Sequence, residues 1–452
     1  MSKNATEILG RYTAEIKFSD IPAQTVDVAK ACLIDAIACA VFGSTLPWSR
    51  VVADFAKKSG GGGSCRLPGM PELSLHAPQA ALAFGAFAHA FELDNLRKPG
   101  AGVHAGATVA LPALMMGQAC RVDGKTLLTA IVAGCEVMFR IGAATLHTPE
   151  KAGFHAPGLT GPFGSAAACG RVLGLSANQY VHAFGIAGSL ASGLLAFVKA
   201  DQGGMVKRLH LGRAAEGGVM AAELAAGGYE GPATVLDGEF GLLEVYCDQS
   251  NPELLTAGLG EVFETDRVCF KSYPCHITAH SPVQLLRNLM QTHEFSGDDI
   301  QSIEILGSKK MLSHHNIQTP QDVMMAQYSV PFSVALSAYR DPHDPRSFLE
   351  GAISDPDICS LSKRVTLNVR MTDQGPSTGW GVDMTINLKN GNLFSGSLDI
   401  FDGCPERPLP QSVLSAKFTR LTEPLIAGGG ARLLEQLYSI ENIDDVSSLD
   451  VS

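Results

Sequence analysis

The chain has 452 residues, with 34 basic against 45 acidic side chains and hence a formal charge of −11. Apolar residues make up 46% and charged residues 17%, which excludes a disordered chain and is enough to fill a large core. The negative balance and the lack of any basic run make nucleic acid or an anionic membrane surface poor partners. Low charge with abundant Ala and Gly also points to some surface hidden in an oligomer.

Met1 to Asp20 is polar and of mixed charge, without the apolar core of a secretory signal. The runs Ala31–Phe42 and Ala105–Met116 are broken by Asp35 or by Gly and Pro, short of the roughly 18 to 20 residues of a membrane span. Eleven cysteines are scattered with no CxxC pair, mostly in apolar stretches, and read as buried reduced thiols rather than disulfides or a zinc site. The expected setting is cytoplasmic.

From the N-terminus, Ala5–Ile16 and Ala23–Phe42 carry apolar residues at three- and four-residue spacing, the period of a helix. Pro78–Asp94, Ala107–Cys120, Lys125–Ala143, Pro162–Leu173, Ala177–Ala200 and Gly212–Ala225 follow as Ala-rich helical patterns. Several are apolar on most faces, as helices inside a large bundle are. Ser176 and the Ser19-Asp20 pair read as N-caps. The Gly60–Gly63 run reads as a loop tip, since no Lys-Ser or Lys-Thr follows to make a phosphate cradle. Near residue 263 the texture changes. Ser281–Thr292 and Val323–Tyr339 are helical, the second kinked or started late by Pro331. Ile300–Leu306, Val365–Arg370, Gly381–Leu388 and Asn392–Ile400 read as strands, with a hairpin at Lys389-Asn390-Gly391. Gln411–Phe418 and Leu421–Tyr438 return to helix. The fold class is mainly α: a helical domain over 1–262, a smaller α+β domain over 263–400, and helices over 401–452 packing back on the first.

Four segments place polar or cationic residues where packing does not require them. Asp94 to His104 holds Lys98, His104, glycines and a proline, as a loop beside a ligand does, or as a helix end decorated with cations does. Phe154 to Ser165 reads as a small-residue loop with His155 at its mouth, running into a helix start whose free N–H groups could hold a carboxylate, or as a tight interhelical turn with a surface histidine. Gly203 to Arg213 gathers Lys207, Arg208, His210 and Arg213 in an uncharged region, an anion site or a solvated basic face. Lys271 to His280 contains Lys271, His276 and His280. The two histidines lack the intervening acid of a zinc protease, so no metal is expected, and His276 suits acid–base work at neutral pH. No nucleotide-binding glycine motif and no nucleophile elbow occurs. What remains is a site of Lys, Arg and His without a cofactor, suited to a small di- or tricarboxylate that loses its α-proton while cations hold the enolate-like charge.

Gly161-Pro162-Phe163-Gly164, Lys207–Arg213 with its Leu-His-x-Gly-Arg-Ala-Ala ending, and Tyr273-Pro274-Cys275-His276 together resemble the MmgE/PrpD family. That family includes 2-methylcitrate dehydratase, cis-aconitate decarboxylase and iminodisuccinate epimerase. The resemblance implies a large all-helical domain, a smaller α+β lid domain, a homodimer and a site between the domains. It also maps site roles onto Asp94, His104, His155, Lys207, Lys271 and His276. Dehydratase and decarboxylase members carry an acidic Asp-x-Asp-Asp-Thr stretch of which only Asp94 remains here, with Lys98 at the place of the Thr. A tyrosine of several members is replaced by Phe332, with Tyr328 one turn away.

Those departures weaken the leaving-group half of a dehydration. A 1,1-proton transfer needs only two bases on opposite faces of a carbon, and Lys98 with His104 or His276 could supply them. The leading expectation is therefore a cofactor-independent epimerase of an amino- or imino-dicarboxylate, with Lys98, His104 and His276 catalytic and Asp94, His155, Lys207, Arg213 and Lys271 binding substrate. A methylcitrate-type hydro-lyase comes second, then a cis-aconitate-type decarboxylase. The non-enzyme alternative is an inactive binding member of the family.

Overall fold

The structure is a computed structural model, and it describes residues 4–100, 104–198, 204–349, 351–371 and 379–449. It divides into two units. The first takes Met1–Ala90, Asp94–Cys269 and Pro410–Ser452, and the second takes Phe91–Leu93 and Phe270–Leu409. The sequence placed the boundaries at 262/263 and 400/401. Residues 263–269 stay with the helices because Val268–Cys269 pairs with Leu96–Arg97 and Glu136 accepts from the N–H groups of Glu264 and Thr265.

The first unit is helical. Its elements are α1 (Ala5–Glu15), α2 (Ala23–Ser44), α3 (Pro47–Gly60), α4 (Ala77–Ala88), α5 (Leu111–Cys120), α6 (Gly124–Ala144), α7 (Ala156–Leu173), α8 (Ala177–Leu190) and α9 (Val206–Ala226). The helix α3 was not foreseen. The expected N-cap at Ser19-Asp20 moves to Pro22, after a short 3-10 turn, whereas Ser176 does cap α8 in a capping box with Gln179. The glycine run is an extended strand, β1 (Gly61–Cys65), bridged to Leu75. The short pair β2 (Leu96–Arg97) and β3 (Val268–Cys269) is antiparallel. The helix α6 is long and apolar enough to cross a membrane, beyond the runs noted in the sequence, but 94% of its most apolar window is buried among its neighbours.

Two neighbouring helices lie unusually close to α4. A Cβ on Gly212 of α9 would stand 2.2 Å from the carbonyl oxygen of Leu82, and one on Gly43 of α2 would stand 1.9 Å from that of Phe87. Only glycine lets both helices come this near to α4.

The second unit carries a four-stranded sheet in the order β5-β4-β6-β7, with β4 (Ile300–Gly307), β5 (Val365–Val369), β6 (Val382–Leu388) and β7 (Leu393–Leu398). The strands β4 and β5 run parallel, the other pairs antiparallel, and β6–β7 is the hairpin expected at Asn390-Gly391. Strict alternation along β6 buries Val382, Met384, Ile386 and Leu388. The helices α10 (His280–His293) and α11 (Val330–Tyr339) pack there with the shorter helices Lys309–His315, Val323–Tyr328 and Pro356–Ser362, and Pro331 starts α11 behind a Ser329 cap. The C-terminal helices α12 (Gln411–Thr422) and α13 (Ala431–Tyr438) pack against α2 of the first unit.

Candidate active site

The helix α4 ends at His89, whose backbone N–H still bonds the carbonyl of Gly85. Asp94 and Asn95 then lead into β2, and the N–H of Lys98 extends that pairing to the carbonyl of Arg267 at 2.8 Å. Residues 101–103 of this segment lie outside the described residues. At His104 the chain enters a π-helical turn (Gly106–Ala110) leading into α5, and the His104 carbonyl accepts from both N–H and Oγ1 of Thr108.

Four side chains from these elements form a buried line. Lys207 Nζ, in the first turn of α9, lies 2.7 Å from Nε2 of His89. His89 Nδ1 lies 2.9 Å from Oδ1 of Asp94. His104 Nδ1 lies 3.0 Å from the carbonyl oxygen of Asn95 and 3.0 Å from Oδ2 of Asp94. Its N–H aims at the carbonyl, so Oδ2 acts on it from off that axis as an electrostatic partner. Donor bookkeeping fixes the protons. A lysine ammonium only donates, so His89 Nε2 accepts and its hydrogen sits on Nδ1, facing the carboxylate. Both oxygens near His104 Nδ1 accept, so that nitrogen also carries hydrogen. No described residue bonds Nε2 of His104, which is the nitrogen left for a reacting molecule.

The charges obey the same logic. Burial alone would push Asp94 up, yet the imidazoles of His104 and His89 outweigh it and hold the carboxyl well below its ordinary range. Burial, joined by Lys207 and His104 and opposed by Asp94, holds His89 well below an ordinary histidine, so its ring is neutral. Among the described residues, His89, Asp94 and His104 are also the group whose donor atoms, all within 4.8 Å, could surround a metal. A cation there would break the hydrogen bond to Asp94 Oδ1 and would leave the far nitrogen of His89 facing an ammonium. Ligating histidines need an acceptor there. The arrangement suits protons better than a metal.

The second segment is not a loop. The helix α7 begins at Ala156 with His155 as N-cap, and Pro162 lies inside it. That proline cannot bond the carbonyl of Gly158, which takes the N–H of Ser192 instead at 3.0 Å. His155 faces His210 of α9, Nδ1 to Nδ1 at 3.0 Å, with Phe197 edge-on to both rings. Burial and then His210 push His155 down to about 3, so one neutral ring donates to the other.

The cations of the third segment, which begins at residue 203 outside the described set, part company. Lys207 goes to His89. Arg208 donates to the carbonyl of Ala90 and lies over Trp48 at 4.3 Å. Arg213, expected to bind substrate, has a half-exposed side chain paired with Glu216, because six residues along a helix turn it to another face than Lys207.

Lys271 and His276 belong to the second unit. Lys271 is buried and donates to both the carbonyl and Oε2 of Glu92, at 2.9 and 3.1 Å, so its charge is matched within that unit. His276 caps the turn leading to α10, with Thr278 Oγ1 2.9 Å from its Nδ1. His315 stacks on it at 3.9 Å, and Tyr328 tilts against it at 5.1 Å. Phe332 is wholly buried. His280 packs between Tyr273 and Phe401 as a core residue.

The sequence reading passed over His89, Glu92 and His315. His89 and Glu92 left a signal, a histidine and an acid at the end of an otherwise apolar helical run. His315 left none.

Comparison with known proteins agrees with the geometry. Residues 7–255 match the MmgE/PrpD N-terminal domain and residues 273–437 the MmgE/PrpD C-terminal domain. A cis-aconitate decarboxylase-like protein of Aspergillus oryzae is 33% identical over 99% of this chain and 96% of its own length. The cis-aconitate decarboxylase of Aspergillus terreus is 27% identical over 98% and 94%, and the human one 25% identical over 99% and 94%. With a mainly helical N-terminal part, a smaller α+β part and both domains matched, the chain belongs to the MmgE/PrpD family.

Proposed function

We propose that this chain is a decarboxylase of a small unsaturated tricarboxylate of the cis-aconitate type. The observation that carries the reading is likeness along nearly the whole chain to proteins of that activity. The epimerase favoured by the sequence rested on Lys98 and a histidine as opposed bases, and no comparison supports it. Decarboxylation, ranked lower there, takes its place.

The chemistry asks for one proton. Cis-aconitate carries a carboxylate on a CH2 beside its double bond. Protonation at the far alkene carbon draws the π pair into a new C–H bond. The CH2–CO2 bond breaks, its electron pair becomes the new double bond, and CO2 leaves. A doubly protonated His104, held through Nδ1 by Asn95 and faced by the Asp94 carboxylate, presents Nε2–H for this step and returns to its neutral form. Lys207 balances Asp94 through neutral His89. Neutral His155 and Lys98 serve as carboxylate contacts.

The test is incubation with cis-aconitate in D2O, followed by proton NMR. The expected product is a methylene-bearing dicarboxylate carrying one deuterium on the saturated carbon, with CO2 evolved. His104→Gln should lower kcat by about 10²- to 10⁴-fold. Deuterium exchange at the α-carbon of an aminodicarboxylate, with cis-aconitate left intact, would return the assignment to epimerase.

A further inference from the structure

Two charges lie where packing alone would not put them. Asp35 sits within the buried and otherwise apolar stretch Cys32–Phe42 of α2 and is itself 0% exposed. Lys417 lies on the buried stripe Leu414, Lys417, Phe418, Leu421 of α12, which packs on α2. Lys417 Nζ donates to Oδ1 of Asp35. Two ions buried together cost desolvation that their attraction recovers only with good geometry, so such pairs call for a reason.

The other face of Asp35 supplies one. Its Oδ2 accepts from the backbone N–H of Asn95 at 3.0 Å and from Asn95 Nδ2 at 2.9 Å. Asn95 Oδ1 in turn accepts the N–H of Gly106 at 2.9 Å, and the Asn95 carbonyl receives the Nδ1 hydrogen of His104. Asn95 thus ties both ends of the segment from Asp94 to Gly106; the Asp35 carboxylate holds its peptide N–H and, together with the Cys32 carbonyl at 3.3 Å, its amide.

We propose that Lys417 is a positioning residue of the reaction, acting through Asp35 and Asn95 to orient the imidazole of His104. The proposal rests on the reading of His104 as the proton-handling group. Asp35 must stay ionised to accept both bonds. Burial pushes its carboxyl up, and the ammonium of Lys417 is the main opposing charge, with Asp94 and the thiol of Cys32 as the other titratable groups near it.

The double variant Asp35→Asn/Lys417→Met removes both charges and leaves neither buried alone. We expect it to fold, with kcat for cis-aconitate about 10- to 100-fold lower and KM within about twofold. Nitrogen-15 NMR of His104 should show Nδ1 losing its fixed, hydrogen-bonded N–H. Lys417→Gln keeps a donor and loses the charge, so it serves if the double variant does not fold. In it Asp35 takes up a proton at higher pH, and the acid limb of kcat should move up by about one unit. Unchanged kcat in the folded double variant, an unchanged acid limb in Lys417→Gln, or an unaltered His104 Nδ1 signal would each overturn the proposal. If the wild-type protein leaves cis-aconitate untouched but the Nδ1 signal changes in the variant, the decarboxylase reading fails and the positioning stands.

Discussion

His89 shows how one ring can make two distant charges depend on each other. Its Nε2 accepts from Lys207, 118 residues away, and its Nδ1 donates to Asp94, five residues on. Phenylalanine fills nearly the same space and makes neither bond. His89→Phe should lower kcat about 10- to 100-fold and cost about 1 to 3 kcal/mol of stability, since Asp94 loses a buried donor. Steady-state kinetics beside thermal melts would check both, and full activity in a folded His89→Phe protein would remove His89 from the mechanism. Asp94, His104 and Lys207 were legible because ionisable residues stood out against apolar helices. His89 was not, because its role depends on a lysine that only the fold brings near. Arg213 was misread because a cluster in sequence is not a cluster on one helix face. Six residues separate it from Lys207, about one and two-thirds turns.

At the scale of elements, the contact of α9 with α4 delivers Lys207 to the end of α4, where His89 waits. Gly212→Ala places a methyl 2.2 Å from the Leu82 carbonyl, and backbone cannot move aside cheaply. We expect a loss of about 1 to 3 kcal/mol in thermal or urea unfolding, with activity falling further as α9 shifts. A variant as stable and as active as the parent would contradict this account of the packing. Helix period found most elements, and Asn-Gly found the hairpin. Prolines were harder to read. Pro331 opens a helix, whereas Pro162 sits within one because Ser192 takes the carbonyl that the proline releases. Nothing local distinguishes the two.

For the whole molecule, buried neutral histidines set the acid limit. Burial holds His155 of the first unit and His315 of the second at about 3, against about 6.5 for the unfolded chain. Between these values the unfolded state binds more protons, so stability falls as pH drops below about 6.5 and is fully present above it. At pH 4.5 each contributes a loss of about 2.5 kcal/mol. Melting temperatures should therefore drop steeply from pH 7 to 4.5, and His315→Phe should flatten the drop. An equal slope in that variant would locate the acid sensitivity elsewhere. The division into two units was legible as a change of texture. Its edges were not, because residues 263–269 join the helices through strand pairing and Glu136, which no local pattern announces.

The first unit is sewn from segments on either side of the second, and Lys417 is one of the stitches, as Glu441 on Lys30 is another. During synthesis Asp35 emerges early and waits for some 380 further codons before its counter-ion exists. A ribosome-bound nascent chain halted before α12 should therefore keep Asp35 solvated and the N-terminal bundle loose. Maturation of this bundle waits on the arrival of α12.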